Sequence, residues 1–133
     1  MRLVIILLSM VLVGCSDIVP RPEPEETASY DFGPEPVTYK DIIKEYNLNE
    51  YKYFDSLIYD WISPPEEGWV KVGYYHDPIF GWKVCVSINT KNSMGRYEGF
   101  KTDLYILENN AVKRHYPSGD VAYTNLAKAV CKQ

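Results

Sequence analysis

The stretch that decides the fold is Gly81-Trp82-Lys83-Val84-Cys85-Val86-Ser87-Ile88-Asn89. Apolar residues at even positions alternate with Lys83, Cys85, Ser87 and Asn89, and a period of two predicts a β-strand. Successive side chains of a strand point to opposite faces of the sheet. Cys85 therefore lies on the face opposite to Val84, Val86 and Ile88.

Three further segments predict strands around this one. After Glu66-Glu67-Gly68 the period changes to two, and Val70, Val72 and Tyr74 alternate with Lys71, Gly73 and Tyr75. Leu104 and Ile106 lie on a strand that ends at Glu108-Asn109-Asn110, a sequence typical of tight turns. The next strand carries Val112, Arg114 and Tyr116. We therefore expect an antiparallel sheet of about four strands.

Helical patterns flank the strands. Thr38 suits an N-cap, Asp41 suits the first turn, and Asn47-Leu48-Asn49 is expected to interrupt this short helix. A second helical stripe has three- and four-residue spacing and stops at Ser63-Pro64-Pro65; it consists of Tyr51, Phe54, Leu57, Ile58 and Trp61. A last helix follows Gly119-Asp120 and carries Leu126, Ala127, Val130 and Cys131. The predicted fold class is α+β, with an N-terminal helical region and a C-terminal helix.

Length and composition indicate one globular domain, since the chain has 133 residues of which 46% are hydrophobic and 24% charged. Residues 38–133 contain twelve acidic and twelve basic residues. The net charge of the whole chain is -4. Neither value supports a nucleic-acid partner, because such a partner needs a concentrated basic face.

Residues 16–37 differ in composition from the rest. They hold five of the nine prolines and six acidic residues against one base, Arg21. Proline blocks helix and sheet pairing, and like charges repel, so this segment is expected to be extended and solvated. A spacer is the expected role, and a proline-rich ligand for another protein is the alternative.

The N-terminus has the pattern of an export signal. After Arg2, the apolar run Leu3 to Val13 spans only about 16 Å as a helix, against a hydrocarbon core of about 30 Å. Leu12-Val13-Gly14-Cys15 resembles a bacterial lipobox, the recognition sequence of lipoprotein signal peptidase. The resemblance implies a signal peptide at 1–14 and a lipidated Cys15. Together with the composition, it predicts a tether at 15–37 and a globular domain at 38–133. The alternative is an ordinary secretory signal with an accidental cysteine.

The resemblance also implies a location. Two or more acyl chains, such as palmitate, give stable membrane anchoring. In enterobacterial lipoproteins an aspartate directly after the acylated cysteine favours the inner membrane, whereas here Ser16 takes that position and Asp17 follows. We therefore expect the outer membrane rather than the inner one.

The lipobox also leads to a prediction about the two remaining cysteines. If lipid occupies Cys15, Cys85 and Cys131 form an even pair in an oxidising compartment, and we predict a disulfide between them. Closing a loop of about 46 residues stabilises a fold by roughly 4 kcal/mol. The alternative is two buried free thiols. The bond would hold the last helix over the Cys85 face or against its edge, and the first helical region could then cover the valine face.

A segment rich in glycine and asparagine, residues 89–100, joins the second and third predicted strands. Its candidate binding residues are Lys91, Asn92, Ser93, Arg96 and Tyr97, because loops on a rigid sheet often carry recognition side chains. The alternative is a wide hairpin shaped by Gly95 and Gly99, with asparagines bonding the backbone. The pattern from Gly81 to Phe100 is similar to small uncharacterised bacterial lipoproteins, which implies a shared fold and export but no known activity.

Catalytic signatures are weak. No nucleophile-elbow glycine pattern surrounds a serine, and His76 and His115 are expected to be solvated surface residues. No phosphate-binding glycine loop or metal-ligand spacing occurs in the sequence, so we expect no cofactor and no metal.

The sequence therefore predicts a non-enzymatic, membrane-anchored binding or envelope-interaction module, with an envelope protein as candidate partner. The alternatives are an inhibitor or exclusion factor against an envelope-attacking enzyme or phage, and a small hydrolase.

Overall fold

The computed structural model describes residues 29–73, 75–120 and 123–131. Its helices are α1 (Tyr39–Glu50) and α2 (Thr124–Cys131), with a 3₁₀ turn at Phe54–Ser56. Its strands are β1 (Ile58–Trp61), β2 (Glu66–Val70), β3 (Ile79–Lys91), β4 (Tyr97–Glu108) and β5 (Ala111–Tyr116). The predicted signal peptide, Cys15 and the first part of the tether lie outside the described residues. Within the described ranges, no helix is long and apolar enough to cross a membrane.

One antiparallel sheet contains all five strands and confirms the predicted α+β class. β3 pairs with β4, and β4 pairs with β5. On its other edge β3 pairs with two short strands in succession, β2 over Ile79–Lys83 and β1 over Val86–Asn89. Asn109 and Asn110 have φ of 51° and 57° and form the tight β4–β5 turn. A two-residue hairpin turn of this type needs positive φ at both positions.

The prediction of a second helix from Tyr51 to Trp61 is wrong. Only Phe54–Ser56 is helical, and Ile58–Trp61 forms β1. Tyr59 and Trp61 lie on the same face of this strand, with stacked rings 5.2 Å apart, and pack against the valine face of β3. Pairing with β3 buries these aromatic residues as a strand, which outweighs the helical spacing.

Two boundaries also differ from the sequence prediction. α1 continues through Asn47 to Glu50, because the buried Asn47 amide bonds side chains of the sheet instead of competing for its own backbone. Thr38 is the N-cap residue but makes no capping bond with its side chain. β2 begins at Glu66 and ends at Val70, so Val72 lies beyond the strand, and Tyr74 lies outside the described residues.

Each face of the sheet carries its own hydrophobic core. On one face Ile43 of α1 packs with Val84, Val86, Ile88 and Tyr105. On the other face α2 packs over residues that include Cys85, Leu104 and Ile106. Cys85 and Cys131 form a disulfide with a Cα–Cα distance of 5.8 Å. The predicted bond and the predicted placement of the two helices are therefore confirmed.

The last part of the predicted tether packs on the domain, and we call residues 30–36 the N-terminal strap. The Tyr30 ring stacks on Phe80 at 4.6 Å, and the Phe32 carbonyl accepts a bond from Trp82 Nε1 at 3.0 Å. Pro36 is fully buried. The expectation of a solvated segment up to residue 37 is therefore wrong for Tyr30, Phe32 and Pro36, because apolar side chains gain more from burial than from water.

A small polar cluster fixes the strap. The Tyr30 hydroxyl donates to Glu108, and Lys113 Nζ donates to Tyr30, to Glu108 and to the Phe80 carbonyl, each at 3.1 Å. The bond from Tyr30, together with one bond from Lys113 and its positive charge, holds the pKa of Glu108 below its usual value.

We expect Glu108→Gln to lower the free energy of unfolding at pH 7 by about 1 kcal/mol. Because the folded-state pKa of Glu108 is depressed, its contribution is present above the unfolded-state pKa and is lost as the pH falls through the folded-state value. Urea titrations between pH 7 and pH 3 should therefore show wild type and variant converging in acid. Glu45→Gln, on the exposed surface of α1, is the control; equal pH profiles for wild type and Glu108→Gln would contradict this prediction.

Candidate functional site

A buried carboxylate lies on the central part of strand β4. Asp103 belongs to β4, whose side chains alternate between the α1 face and the α2 face. The Asp103 side chain shares the α1 face with Tyr105 and is only 2% exposed. A charge at this depth requires compensation by hydrogen-bond donors.

Donors from three segments of the chain supply that compensation. The Tyr51 hydroxyl, just after α1, donates to Asp103 Oδ2. His115 Nε2, on β5, lies 2.7 Å from the same oxygen, and its side chain is 5% exposed. Ser118 donates from its backbone nitrogen at 3.1 Å and from its hydroxyl at 3.2 Å to Asp103 Oδ1. Both carboxylate oxygens are therefore satisfied.

The network continues into α1 through Asn47. The Tyr105 hydroxyl donates to Asn47 Oδ1 at 2.9 Å, and Asn47 Nδ2 donates to the Tyr59 hydroxyl at 3.1 Å. The His115 ring stacks on Tyr105 with 4.2 Å between centroids. The network thus joins α1, β1, β4 and β5 into one polar unit inside an apolar layer.

The electrostatics of the network favour protonated tyrosines. Burial raises the pKa of Tyr51 and of Tyr105, and the negative charge of Asp103 raises both further. Burial also raises the pKa of Tyr59. These hydroxyls therefore remain hydrogen-bond donors at neutral pH.

A cavity of about 390 Å³ opens beside this network. Asp103, Tyr51 and Ser118 form its polar inner side. Ile88 and Pro117 add apolar surface, and Lys101 lies at its exposed rim. The cavity combines apolar walls with a few fixed polar groups, which is the usual composition of a ligand site.

The order of the polar groups differs from that of a serine hydrolase. In a catalytic triad, histidine stands between serine and carboxylate and takes the serine proton. Here Asp103 stands between Ser118 and His115 and contacts both. The described part of the chain also contains no group of three or more His, Cys, Asp or Glu residues able to hold a metal ion. This arrangement is suited to fixing the shape of a cavity.

The predicted binding loop is shorter than the sequence indicated, because β3 extends to Lys91 and β4 begins at Tyr97. Asn92 Oδ1 accepts bonds from the backbone nitrogens of Met94 and Arg96 at 3.0 and 3.1 Å and shapes the turn. This geometry matches the hairpin alternative, in which asparagine side chains bond the backbone.

The structure brings four of the five predicted loop residues together. Lys91, Asn92, Ser93 and Tyr97 line a second, more open hollow of about 380 Å³. Lys91 Nζ lies 5.3 Å from the centre of the Tyr97 ring, and the Tyr97 hydroxyl donates to the Ser56 carbonyl at 3.0 Å. Arg96 is exposed at the turn and does not line this hollow.

The expectation for the histidines is half right. His76 is exposed, but His115 is buried against Asp103, so its prediction as a solvated residue is wrong. Sequence reasoning also missed Asp103 itself. The available signal was an acidic residue on the same strand face as Tyr105 and Leu107, a position where burial demands partners.

No protein-family model, curated protein or solved structure matches this chain.

We expect Asp103→Ala to lower the free energy of unfolding by about 3 to 5 kcal/mol, because it leaves buried donors on Tyr51, His115 and Ser118 without their acceptor. Ser118→Ala, which keeps the carboxylate, should cost about 1 kcal/mol. Urea denaturation followed by tryptophan fluorescence measures both. Asp77→Ala, on an exposed loop, is the control with an expected change below about 0.5 kcal/mol. An Asp103→Ala protein as stable as that control would contradict a central role for the network.

Proposed function

We propose that this chain is a lipid-anchored protein of the bacterial outer membrane, facing the periplasm, whose domain is a non-enzymatic binding module. The lipobox at Leu12-Val13-Gly14-Cys15 supports the anchor. The observation that carries the proposal is the Cys85–Cys131 bond, which accounts for every cysteine of the chain except Cys15. Disulfides persist in exported proteins, where the surroundings are oxidising.

The cavity beside Asp103 supports the binding role. Its inner side is held by bonds from Tyr51 and Ser118, so it needs little reorganisation when a ligand enters. A preformed site loses less conformational entropy on binding than a flexible loop does.

The position of the strap supports the same role. Tyr30 packs on Phe80 near the start of β3, whereas Thr90 near the end of β3 lines the cavity. Ten residues of strand span about 33 Å. A chain anchored through residues that precede Tyr30 would therefore hold the cavity at the end of the domain remote from its attachment.

Intact-mass measurement of the protein extracted from membranes tests the anchor. We expect a mature chain that begins at Cys15, carries two or three acyl chains and is lighter by two hydrogens for the Cys85–Cys131 bond. Cys15→Ser should abolish acylation and processing before residue 15. The double variant Cys85→Ser, Cys131→Ser is the matched control and should still be acylated. A mature chain that retains Met1, or one without lipid on Cys15, would overturn the anchor.

Site-specific photocrosslinking tests the binding role. A photoreactive amino acid at Lys101, on the rim of the cavity, is expected to capture an envelope component in living cells. The same group at Leu48, exposed on α1, is the control and should capture nothing in common with it. Capture of an envelope-attacking hydrolase or a phage protein would instead assign the inhibitor role. Identical products from both positions, or none from Lys101, would overturn the cavity as the binding site.

A further inference from the structure

We propose that the domain docks on the surface of an anionic phospholipid bilayer through the end of the sheet that is remote from the strap. We call residues 52–58 and 91–101, which form this end, the apolar tip. The reach of the tip to a bilayer rests on the anchor of the proposed function. Its apolar and charged side chains are independent of that anchor.

The first observation is a concentration of exposed apolar side chains. Met94, in the turn between β3 and β4, is 76% exposed. In the described part of the chain, ten large hydrophobic side chains are exposed, and five of them belong to the apolar tip: Phe54, Ile58, Met94, Tyr97 and Phe100. Exposed apolar side chains that lie together mark a surface that contacts a membrane or another protein.

The pairing of the strands brings these side chains to one end of the sheet. Ile58 pairs with Asn89, and Asn89 pairs with Phe100, so Ile58 and Phe100 lie in one row on the same face. The Tyr97 hydroxyl donates to the Ser56 carbonyl at 3.0 Å, which holds β4 beside the 3₁₀ turn. The five apolar side chains are therefore neighbours at the end of the fold, although they are distant in sequence.

The second observation is the charge of the apolar tip, which contains four basic and two acidic residues. Lys101 lies 3.6 Å from Glu98 and pairs with it. Among the described residues, the other three basic side chains have no ion-pair partner; they are Lys52, Lys91 and Arg96. The apolar tip is therefore net positive, and an anionic lipid surface attracts such a group of basic side chains.

The combination of these side chains favours a bilayer over a protein partner. Lys52 Nζ lies 5.4 Å from the centre of the Tyr53 ring, and Lys91 Nζ lies 5.3 Å from that of Tyr97. These ring contacts leave both charges in place. Tyrosine and lysine at the level of the lipid headgroups, with apolar side chains below them, are typical of proteins that bind bilayer surfaces. The core of a protein interface, by contrast, is depleted in lysine.

The third observation is the reach of the chain. The strap packs on Phe80, and from there to Lys91 the strand β3 spans about 36 Å. The fifteen residues from Cys15 to Ser29 span at most about 50 Å when fully extended. A chain anchored at Cys15 can therefore bring the apolar tip to the bilayer that holds the anchor. Tethering raises the effective concentration of the tip at that surface, so a weak affinity is sufficient.

Co-sedimentation with lipid vesicles tests this inference. The protein is the chain of residues 15–133 with Cys15→Ser, which cannot be acylated at this position. We expect about tenfold tighter binding to phosphatidylcholine vesicles that contain about one third phosphatidylglycerol than to phosphatidylcholine alone. Raising the salt concentration from about 0.1 M to about 1 M should release most of the bound protein, because it shortens the Debye length from about 10 Å to about 3 Å.

A first pair of variants tests the apolar contribution. Phe54→Ser combined with Met94→Ser should weaken binding to the anionic vesicles by about tenfold, because less apolar surface enters the bilayer. The matched control combines Leu48→Ser with Val72→Ser, which are exposed apolar residues outside the apolar tip. This control should bind like the parent chain.

A second pair tests the charge. Lys91→Gln combined with Arg96→Gln should weaken binding to the anionic vesicles by about tenfold and leave binding to phosphatidylcholine unchanged. Lys40→Gln combined with Lys44→Gln removes the same number of charges from α1 and should preserve the preference for anionic lipid. All of these substitutions affect side chains at the protein surface, and urea denaturation confirms that each variant is folded.

Two results would overturn the inference. One is equal binding of the parent chain to vesicles with and without phosphatidylglycerol. The other is a loss of binding in the control variants as large as that in the tip variants. Because these measurements use an unacylated chain, either result would leave the anchor and the cavity of the proposed function in place. Absence of lipid on Cys15 would overturn the anchor but not the affinity of the tip for lipid.

Discussion

The buried carboxylate of Asp103, whose side chain is only 2% exposed, is the constraint on which the rest of this structure depends. Asp103 satisfies its charge only if Tyr51, His115 and Ser118 lie where they do. These residues come from the end of α1, from β5 and from the turn that follows β5, so one charge fixes the relative positions of three segments. Breaking such an arrangement leaves uncompensated polar groups in an apolar layer, which is far more costly than losing a surface ion pair.

The two helices are held against the sheet by different interactions. On the α1 face, hydrogen bonds through Asn47 and Asp103 specify how the helix packs, in addition to hydrophobic burial. On the α2 face, the Cys85–Cys131 bond holds the helix covalently. A disulfide lowers the conformational entropy of the unfolded chain, whereas a polar network favours one packing arrangement over others. The disulfide and the polar network both stabilise this five-stranded sheet, which has one helix on each face.

The network that stabilises the domain also lines the cavity beside Asp103, so the same residues hold the fold and shape this cavity. Tyr51 and Ser118 each donate to Asp103 and line the cavity. The strap packs at the other end of β3, where Tyr30 meets Phe80, Glu108 and Lys113. The strap and the cavity beside Asp103 therefore lie toward opposite ends of β3.

The sequence by itself determined the elements with strong local signals. The alternation around Cys85, the paired asparagines at 109 and 110 and the apolar spacing of the last helix predicted β3, the β4–β5 turn and α2, because these depend on neighbours along the chain. Only the tertiary structure decided that Ile58–Trp61 is a strand and that His115 is buried. The partners in these cases, β3 for the strand and Asp103 for the histidine, are distant in sequence. Long-range pairing and burial outweigh local spacing, and for that reason only the folded chain shows which residues surround Asp103.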